Sequence, residues 1–138
     1  MNIEFFYEET DFILNQKESI QPWINKIILE ESYELESLNY IFCSDEYLHK
    51  INLEYLNHDT FTDIITFDNS ETEKVIESDI YISVDRVKEN SLQLNTAFEE
   101  ELARVLIHGV LHLMGWQDKT DDLKEQMRKK EDACLSLR

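Results

Sequence analysis

The sequence predicts a single α+β domain in which helices cover a small mixed β-sheet of about four strands. Short runs of β-branched and aromatic residues alternate with longer segments in which apolar residues recur at helical spacing. The chain has 138 residues, 42% of them hydrophobic, which is enough for one core. Two glycines and one proline leave little material for a flexible linker, so the domain is expected to span residues 1–138.

The first half of the chain is expected to contain two strand–helix pairs. Residues 3–7 are short and aromatic and predict a strand, and residues 19 to about 32 predict a helix with Pro22 in its first turn. The second pair is a strand at residues 38–43 and a helix at residues 45–56. Both helices carry apolar residues on one face, so both should pack on the sheet.

Two neighbouring strands are expected in the middle of the chain. A polar loop at residues 57–63 precedes a buried strand at residues 64–67, and an acidic connection leads to a strand at residues 79–84. We expect these two strands to lie side by side and antiparallel. Loops held by a rigid strand commonly carry chemistry, so the polar loop is a candidate location for functional side chains.

Three helices are expected in the last third. The first covers residues 83 to about 92. The sequence from Thr96 to Glu99 has the form of a capping box, so Thr96 is expected to cap a long second helix. Thr120 or Asp121 can cap the last helix. The predicted order is therefore β-α-β-α-β-β-α-α-α.

The long helix carries two histidines, His108 and His112, four residues apart in an otherwise apolar segment. Residues at this spacing lie on one helix face, one turn apart, so both imidazoles can reach one ion. Gly115 can end the helix in the left-handed conformation, and the turn after it can return Asp118 to the same ion. Three protein ligands and a free coordination position are typical of catalytic zinc. We therefore predict a zincin-like metal-binding helix with His108, His112 and Asp118 as ligands.

Zinc is the expected ion, although the same ligands also suit iron, manganese or nickel. Two histidines on one face of a buried helix can also occur without a metal. Here the helix is apolar on nearly every side, so the imidazoles need partners, which an ion supplies jointly. In the zinc peptidase pattern His-Glu-x-x-His the glutamate is the general base, but this sequence has Gly109 at that position.

Charge and composition restrict the partners. The formal net charge of −17 argues against a diffuse electrostatic grip on nucleic acid. No basic leader and no long apolar run is visible, so we expect no membrane partner and a cytoplasmic location. Cys43 and Cys134 are expected to be reduced thiols.

A cluster of basic residues follows the metal motif. It is either a local basic strip or a solvated helix face with its own acidic partners. Its members are Lys124, Arg128, Lys129 and Lys130.

The motifs resemble those of the YbeY family of bacterial metal-dependent endoribonucleases. The segment His108-Gly-Val-Leu-His112-Leu-Met-Gly115-Trp is similar to the family pattern His-Gly-x-Leu-His-Leu-x-Gly-Tyr-Asp-His. Thr62-Asp-Ile-Ile-Thr-Phe67 resembles the family's Thr-Asp-Val-Leu-Ser-Phe, and Ser78-Asp-Ile-Tyr-Ile-Ser83 resembles its Gly-Asp-Ile.

The resemblance implies a single-strand-specific endoribonuclease that acts in rRNA processing, including maturation of the 3′ end of 16S rRNA, and in ribosome biogenesis. Its substrate would be rRNA or other single-stranded RNA. Its implied partners are proteins of the small ribosomal subunit or an assembly GTPase.

The sequence departs from the family pattern at two positions. The third histidine ligand falls on Asp118, which adds negative charge and should make bound water less acidic. An arginine that the family often carries upstream of its Thr-Asp element aligns with Leu56, so one phosphate-contacting or transition-state-stabilising role is unfilled, and His58 in the neighbouring loop is a candidate to fill it. The catalytic candidates that could orient water or the RNA backbone are His58, Thr62 and Asp63.

Two other functions remain open from the sequence. A small zinc metallopeptidase would use the same metal helix but needs a base from elsewhere. A non-catalytic module, in which the metal braces a surface that binds ribosomal proteins, is favoured by the charge of −17, because an acidic protein suits basic partners.

Overall fold

The computed structural model describes residues 2–138, which contain four strands and five helices in the predicted order. The strands are β1 (Ile3–Glu8), β2 (Glu34–Cys43), β3 (Ile64–Asp68) and β4 (Val75–Ser83). The helices are α1 (Lys17–Glu30), α2 (Asp45–Leu56), α3 (Val84–Leu94), α4 (Phe98–Leu113) and α5 (Asp121–Leu135). No helix in this part of the chain is long and apolar enough to cross a membrane.

The four strands form one mixed sheet in the order β1-β2-β4-β3. β1 pairs with β2 and β2 with β4 in parallel, whereas β3 is an antiparallel edge strand on β4. The mixed sheet and the antiparallel β3–β4 pair are both confirmed. In β4 every second residue from Ile76 to Ile82 is buried, which is the alternation expected of a strand with one face in the core.

Among the five helices, α4 has the most buried residues, and it packs against the sheet. Gly109 makes this close approach feasible: a Cβ there would lie 3.0 Å from the Cδ1 atoms of Ile64 in β3 and Ile80 in β4. The fully buried Tyr40 of β2 donates its hydroxyl to the Leu106 carbonyl at 2.8 Å. The helix that carries the two histidines is therefore tied to the sheet by both packing and a buried hydrogen bond.

Helix α5 packs on α4 and closes the other side of the core. Met127 and Cys134 of α5 are buried, while Leu123 is half-buried. The indole of Trp23 in α1 donates to the Cys134 carbonyl at 2.8 Å, which links α1 to the end of α5. Thr120 is confirmed as the cap of α5, because its hydroxyl accepts from the Leu123 amide at 3.2 Å.

Two local predictions are wrong. α1 begins at Lys17, so Pro22 lies inside the helix rather than in its first turn. Thr96 does not cap α4: the residue before the helix is Ala97, with no capping side chain. The Thr96 amide instead donates to the Ser91 carbonyl at 3.0 Å, because the chain is still closing the end of α3 through the left-handed residue Asn95.

Candidate metal centre

The three predicted ligands converge at the end of α4. The Nε2 atoms of His108 and His112 lie 3.5 and 3.4 Å from the same Asp118 oxygen, Oδ2, and all three ligand atoms lie within 4.8 Å of one another. Gly115 has φ of +97°, a conformation that a side chain would strain, and it turns the chain back towards the helix. The spacing of the motif therefore produces the cluster that the sequence predicted.

The donor set, two imidazole nitrogens and one carboxylate oxygen, is one that zinc takes in proteins. Zinc bonds of about 2.0–2.2 Å at tetrahedral angles place neighbouring ligand atoms about 3.3–3.5 Å apart, and both contacts to Asp118 fall in or beside this range. The side chains of His108, His112 and Asp118 are 23%, 34% and 39% exposed, so the cluster is accessible to solvent. Within residues 2–138 the cluster has three members, which leaves a coordination position for water or substrate.

Glu131 in α5 supports the site, and the sequence reasoning did not find it. Its Oε2 lies 2.6 Å from Nδ1 of His108, and its Oε1 accepts from Nη1 of Arg104 at 3.0 Å. A hydrogen bond at Nδ1 leaves Nε2 free of a proton for an ion, which is the usual arrangement behind a histidine ligand. The available signal was a glutamate four residues after Met127, on the face of α5 that should be apolar.

The titration of His108 reflects this environment. Burial alone lowers the pKa of its imidazole, but the hydrogen bond and charge of Glu131, with the charges of Asp118 and Asp63, raise the pKa overall. Arg104 bridges Glu131 to Asp132, whose Oδ1 accepts from Nη2 at 2.6 Å. A chain of charged hydrogen bonds thus joins α4 to α5 beside the proposed metal ligands.

A cleft of about 270 Å³ opens beside His108 and Asp118, between the loop before β3 and helix α5. Asp63 lines it, and burial raises the pKa of its carboxyl group despite the opposing effects of His108 and of its own backbone amide. The Asp63 carbonyl accepts from the Ser83 amide at 2.9 Å, which holds the loop against the end of β4. The structure therefore brings Asp63 to the cleft.

The other two catalytic candidates lie outside the set of residues that line the cleft. Thr62 is half-buried and its hydroxyl makes a long, 3.4 Å contact with the Ile64 carbonyl. His58 is exposed, and its backbone amide donates to the Asn52 carbonyl at 3.2 Å. Their catalytic roles stay predictions.

Fold and site together define a small α+β protein with a candidate metal centre beside an open cleft. The family model described as Endoribonuclease YbeY matches residues 4–137, so this chain belongs to the YbeY family, as its motifs indicated. Proteins described as Endoribonuclease YbeY from Cytophaga hutchinsonii and Christiangramia forsetii are 55% and 52% identical to it. These alignments cover 99% and 96% of this chain, and 95% and 92% of the two relatives.

A solved structure shares the fold. The solution structure of TM1509 from Thermotoga maritima matches with a TM-score of 0.67 and 25% identity, over 96% of this chain and 87% of that protein. The predicted α+β architecture is confirmed by this likeness and by the observed sheet.

Proposed function

We propose that this chain is a zinc-dependent endoribonuclease that cleaves single-stranded RNA and acts in rRNA processing and ribosome biogenesis. The observation that carries the proposal is the convergence of His108, His112 and Asp118 on one point at the mouth of a cleft, in a chain of this family. Zinc is the proposed ion because two imidazoles and one carboxylate with a free position form a usual catalytic zinc donor set. The proposed location is the cytoplasm.

The side chains around the site have distinct proposed tasks. When bound, a divalent ion supplies Lewis acidity to a phosphate oxygen or to water. Glu131 holds His108 in the tautomer whose Nε2 faces the cleft. Asp63, half-buried in the opposite wall, can accept a proton or a hydrogen bond from the attacking group, and burial makes its carboxylate a better proton acceptor than an exposed aspartate.

The metallopeptidase alternative is disfavoured by packing. Gly109 occupies the position of the peptidase glutamate, and a Cβ there would already lie 3.0 Å from two isoleucines of the sheet. A glutamate at this position would have to displace both of these side chains. The non-catalytic alternative is disfavoured by the curated relatives, whose names describe enzymes.

Partner proteins are part of the proposal. Small-subunit ribosomal proteins or an assembly GTPase would bring the enzyme to its rRNA substrate. The acidic surface supports basic ribosomal proteins as partners, since the net charge is −17.

The test is cleavage of a labelled single-stranded RNA by untagged protein, with metal content measured by elemental analysis. His112→Ala should abolish cleavage and lower metal content, because it removes one of three ligands. His49→Ala is the matched control: His49 is bonded to Asp59 at 2.8 Å and belongs to no metal cluster among residues 2–138. Wild-type cleavage rates in His112→Ala would refute the proposal, and another metal in the wild type would refute zinc.

A further inference from the structure

Helix α5 presents two cations to the metal cleft that the metal site itself does not use. Lys124 and Arg128 are one helical turn apart and both line the cleft, together with His108 and Asp118. They lie beside Met127 and Glu131, which form the buried face of α5. Because residues at these spacings share one side of a helix, the packing of α5 on α4 also directs Lys124 and Arg128 towards the cleft.

These two cations differ from their neighbours in how they are paired. Arg104 also lines the cleft, but its guanidinium is occupied by Glu131 and Asp132. On the outer side of α5, Lys129 lies 3.6 Å from Glu125, and Lys130 lies 2.8 Å from Glu31. Among the salt bridges formed within residues 2–138, none within 4.0 Å involves Lys124 or Arg128. Both remain available to an external anion.

The charge of the cleft favours such an anion once an ion is bound. Four carboxylates line it, from Asp63, Glu101, Asp118 and Glu131, against three cations, from Arg104, Lys124 and Arg128. The lining therefore has one more negative than positive charge, and a bound divalent ion would make the cleft net positive. In a chain of net charge −17, this cleft is therefore a place where a polyanion can be bound rather than repelled.

We infer that Lys124 and Arg128 bind the phosphates of the RNA strand next to the phosphodiester that is cleaved. The inference rests on the proposed function and assigns two positioning residues to it. Residues at this spacing lie about 5–6 Å apart at their Cβ atoms, so the pair can contact adjacent phosphates. Arg128 can hold two phosphate oxygens at once, while Lys124 acts as a point charge.

The experiment compares Lys124→Gln, Arg128→Gln and the double variant with Lys129→Gln. Lys129 is the matched control, because its removal changes the net charge equally on the same helix, yet its 76% exposed side chain lies outside the cleft lining. Cleavage of a single-stranded RNA gives kcat and KM over a range of salt. Anisotropy of a labelled strand in the presence of a chelator gives Kd without turnover, because the proposed cleavage needs the metal ion.

Each cleft variant should raise KM and Kd about fivefold at about 0.1 M salt, and lower the salt slope of log Kd by about 0.7. The double variant should show the product of the two effects. The kcat at saturating RNA should be unchanged, since neither side chain belongs to the metal cluster. Lys129→Gln should leave KM, Kd and the slope at wild-type values.

The outcomes separate the inference from the proposed function. Wild-type cleavage with equal KM in all variants, or an equal loss in Lys129→Gln, would overturn the inference and leave the function standing. Binding that depends on Lys124 and Arg128 without cleavage by the wild type would uphold the inference as RNA binding and overturn the function. A chain that neither binds nor cleaves RNA would overturn both.

Discussion

Replacing Glu131 by glutamine tests whether this buried carboxylate supports the metal ligand or only joins two helices. The side chain is 6% exposed and contacts two groups at once, the Nδ1 of His108 at 2.6 Å and the guanidinium of Arg104 at 3.0 Å. Glutamine has the same shape but has one acceptor and one donor end. With an ion on Nε2, the Nδ1 atom of His108 can only donate, so whichever way the amide turns it presents its N–H₂ to one of two donors and one hydrogen bond is lost.

Two effects of different size are expected. Loss of a carboxylate behind a histidine ligand lowers metal affinity about 10- to 100-fold, equivalent to about 1.4–2.7 kcal/mol. Without metal, His108 can change tautomer and accept from the amide, but loss of the buried charge that pairs with Arg104 should lower the free energy of unfolding by about 1–3 kcal/mol. Asp132→Asn is the control, because it removes the other carboxylate partner of Arg104. The Asp132 side chain is 58% exposed, so the substitution should lower the free energy of unfolding by about 0–1 kcal/mol and leave metal affinity unchanged.

Metal affinity is measured by competition with a chromogenic chelator, and stability by urea denaturation of the metal-free protein followed through tryptophan fluorescence. The reasoning predicts that Glu131→Gln changes both quantities, whereas Asp132→Asn changes stability slightly and affinity not at all. If Glu131→Gln bound zinc as tightly as the wild type, Glu131 would be a structural ion-pair partner only. Equal losses of affinity in both variants would assign the effect to Arg104 rather than to the histidine.

Three further predictions test the core. Tyr40→Phe should lower the free energy of unfolding by about 1 kcal/mol through the lost bond to α4, and an unchanged urea midpoint would contradict this. Gly109→Val should cost about 1–3 kcal/mol and more than Gly109→Ala, for which the ends of Ile64 and Ile80 must give by only a few tenths of an ångström and helix propensity offsets part of the cost; equal midpoints for both would contradict the packing argument. Burial raises the pKa of the Cys43 thiol to about 12 and also raises the pKa of Cys134. Both thiols should therefore react with a disulfide reagent near neutral pH only after unfolding. Rapid labelling of the native protein would refute this prediction.

Much of the fold was predictable because its signals are local. The boundaries of β1, α2 and β3 follow from runs of strand or helix formers and lie within about two residues of the prediction. β2 begins four residues earlier than predicted, at Glu34 rather than Leu38. Its first residues are mostly polar, and they are extended because their backbones pair with β4, which their own side chains do not signal.

The cluster of proposed metal ligands was predictable for a similar reason. His108 and His112 lie one turn apart near the end of α4, and Asp118 lies in the turn that follows the helix. Their relative positions therefore depend on a short segment. Glu131 lies 23 residues beyond His108, and its role depends on how α5 packs across α4. Asp63 reaches the cleft because the loop that carries it is bonded to the end of β4, and strand order cannot be read from spacing.

The net charge and the proposed substrate place opposite demands on this protein, and the structure separates them in space. A charge of −17 repels RNA at long range, so affinity must come from short-range contacts in the cleft. Salt then acts in two directions, because it screens the repulsion and also weakens each phosphate contact. The wild-type salt slope should therefore be flatter than the number of cleft cations implies, while the difference in slope between wild type and Lys124→Gln still reports one phosphate contact, since both proteins share the same acidic surface.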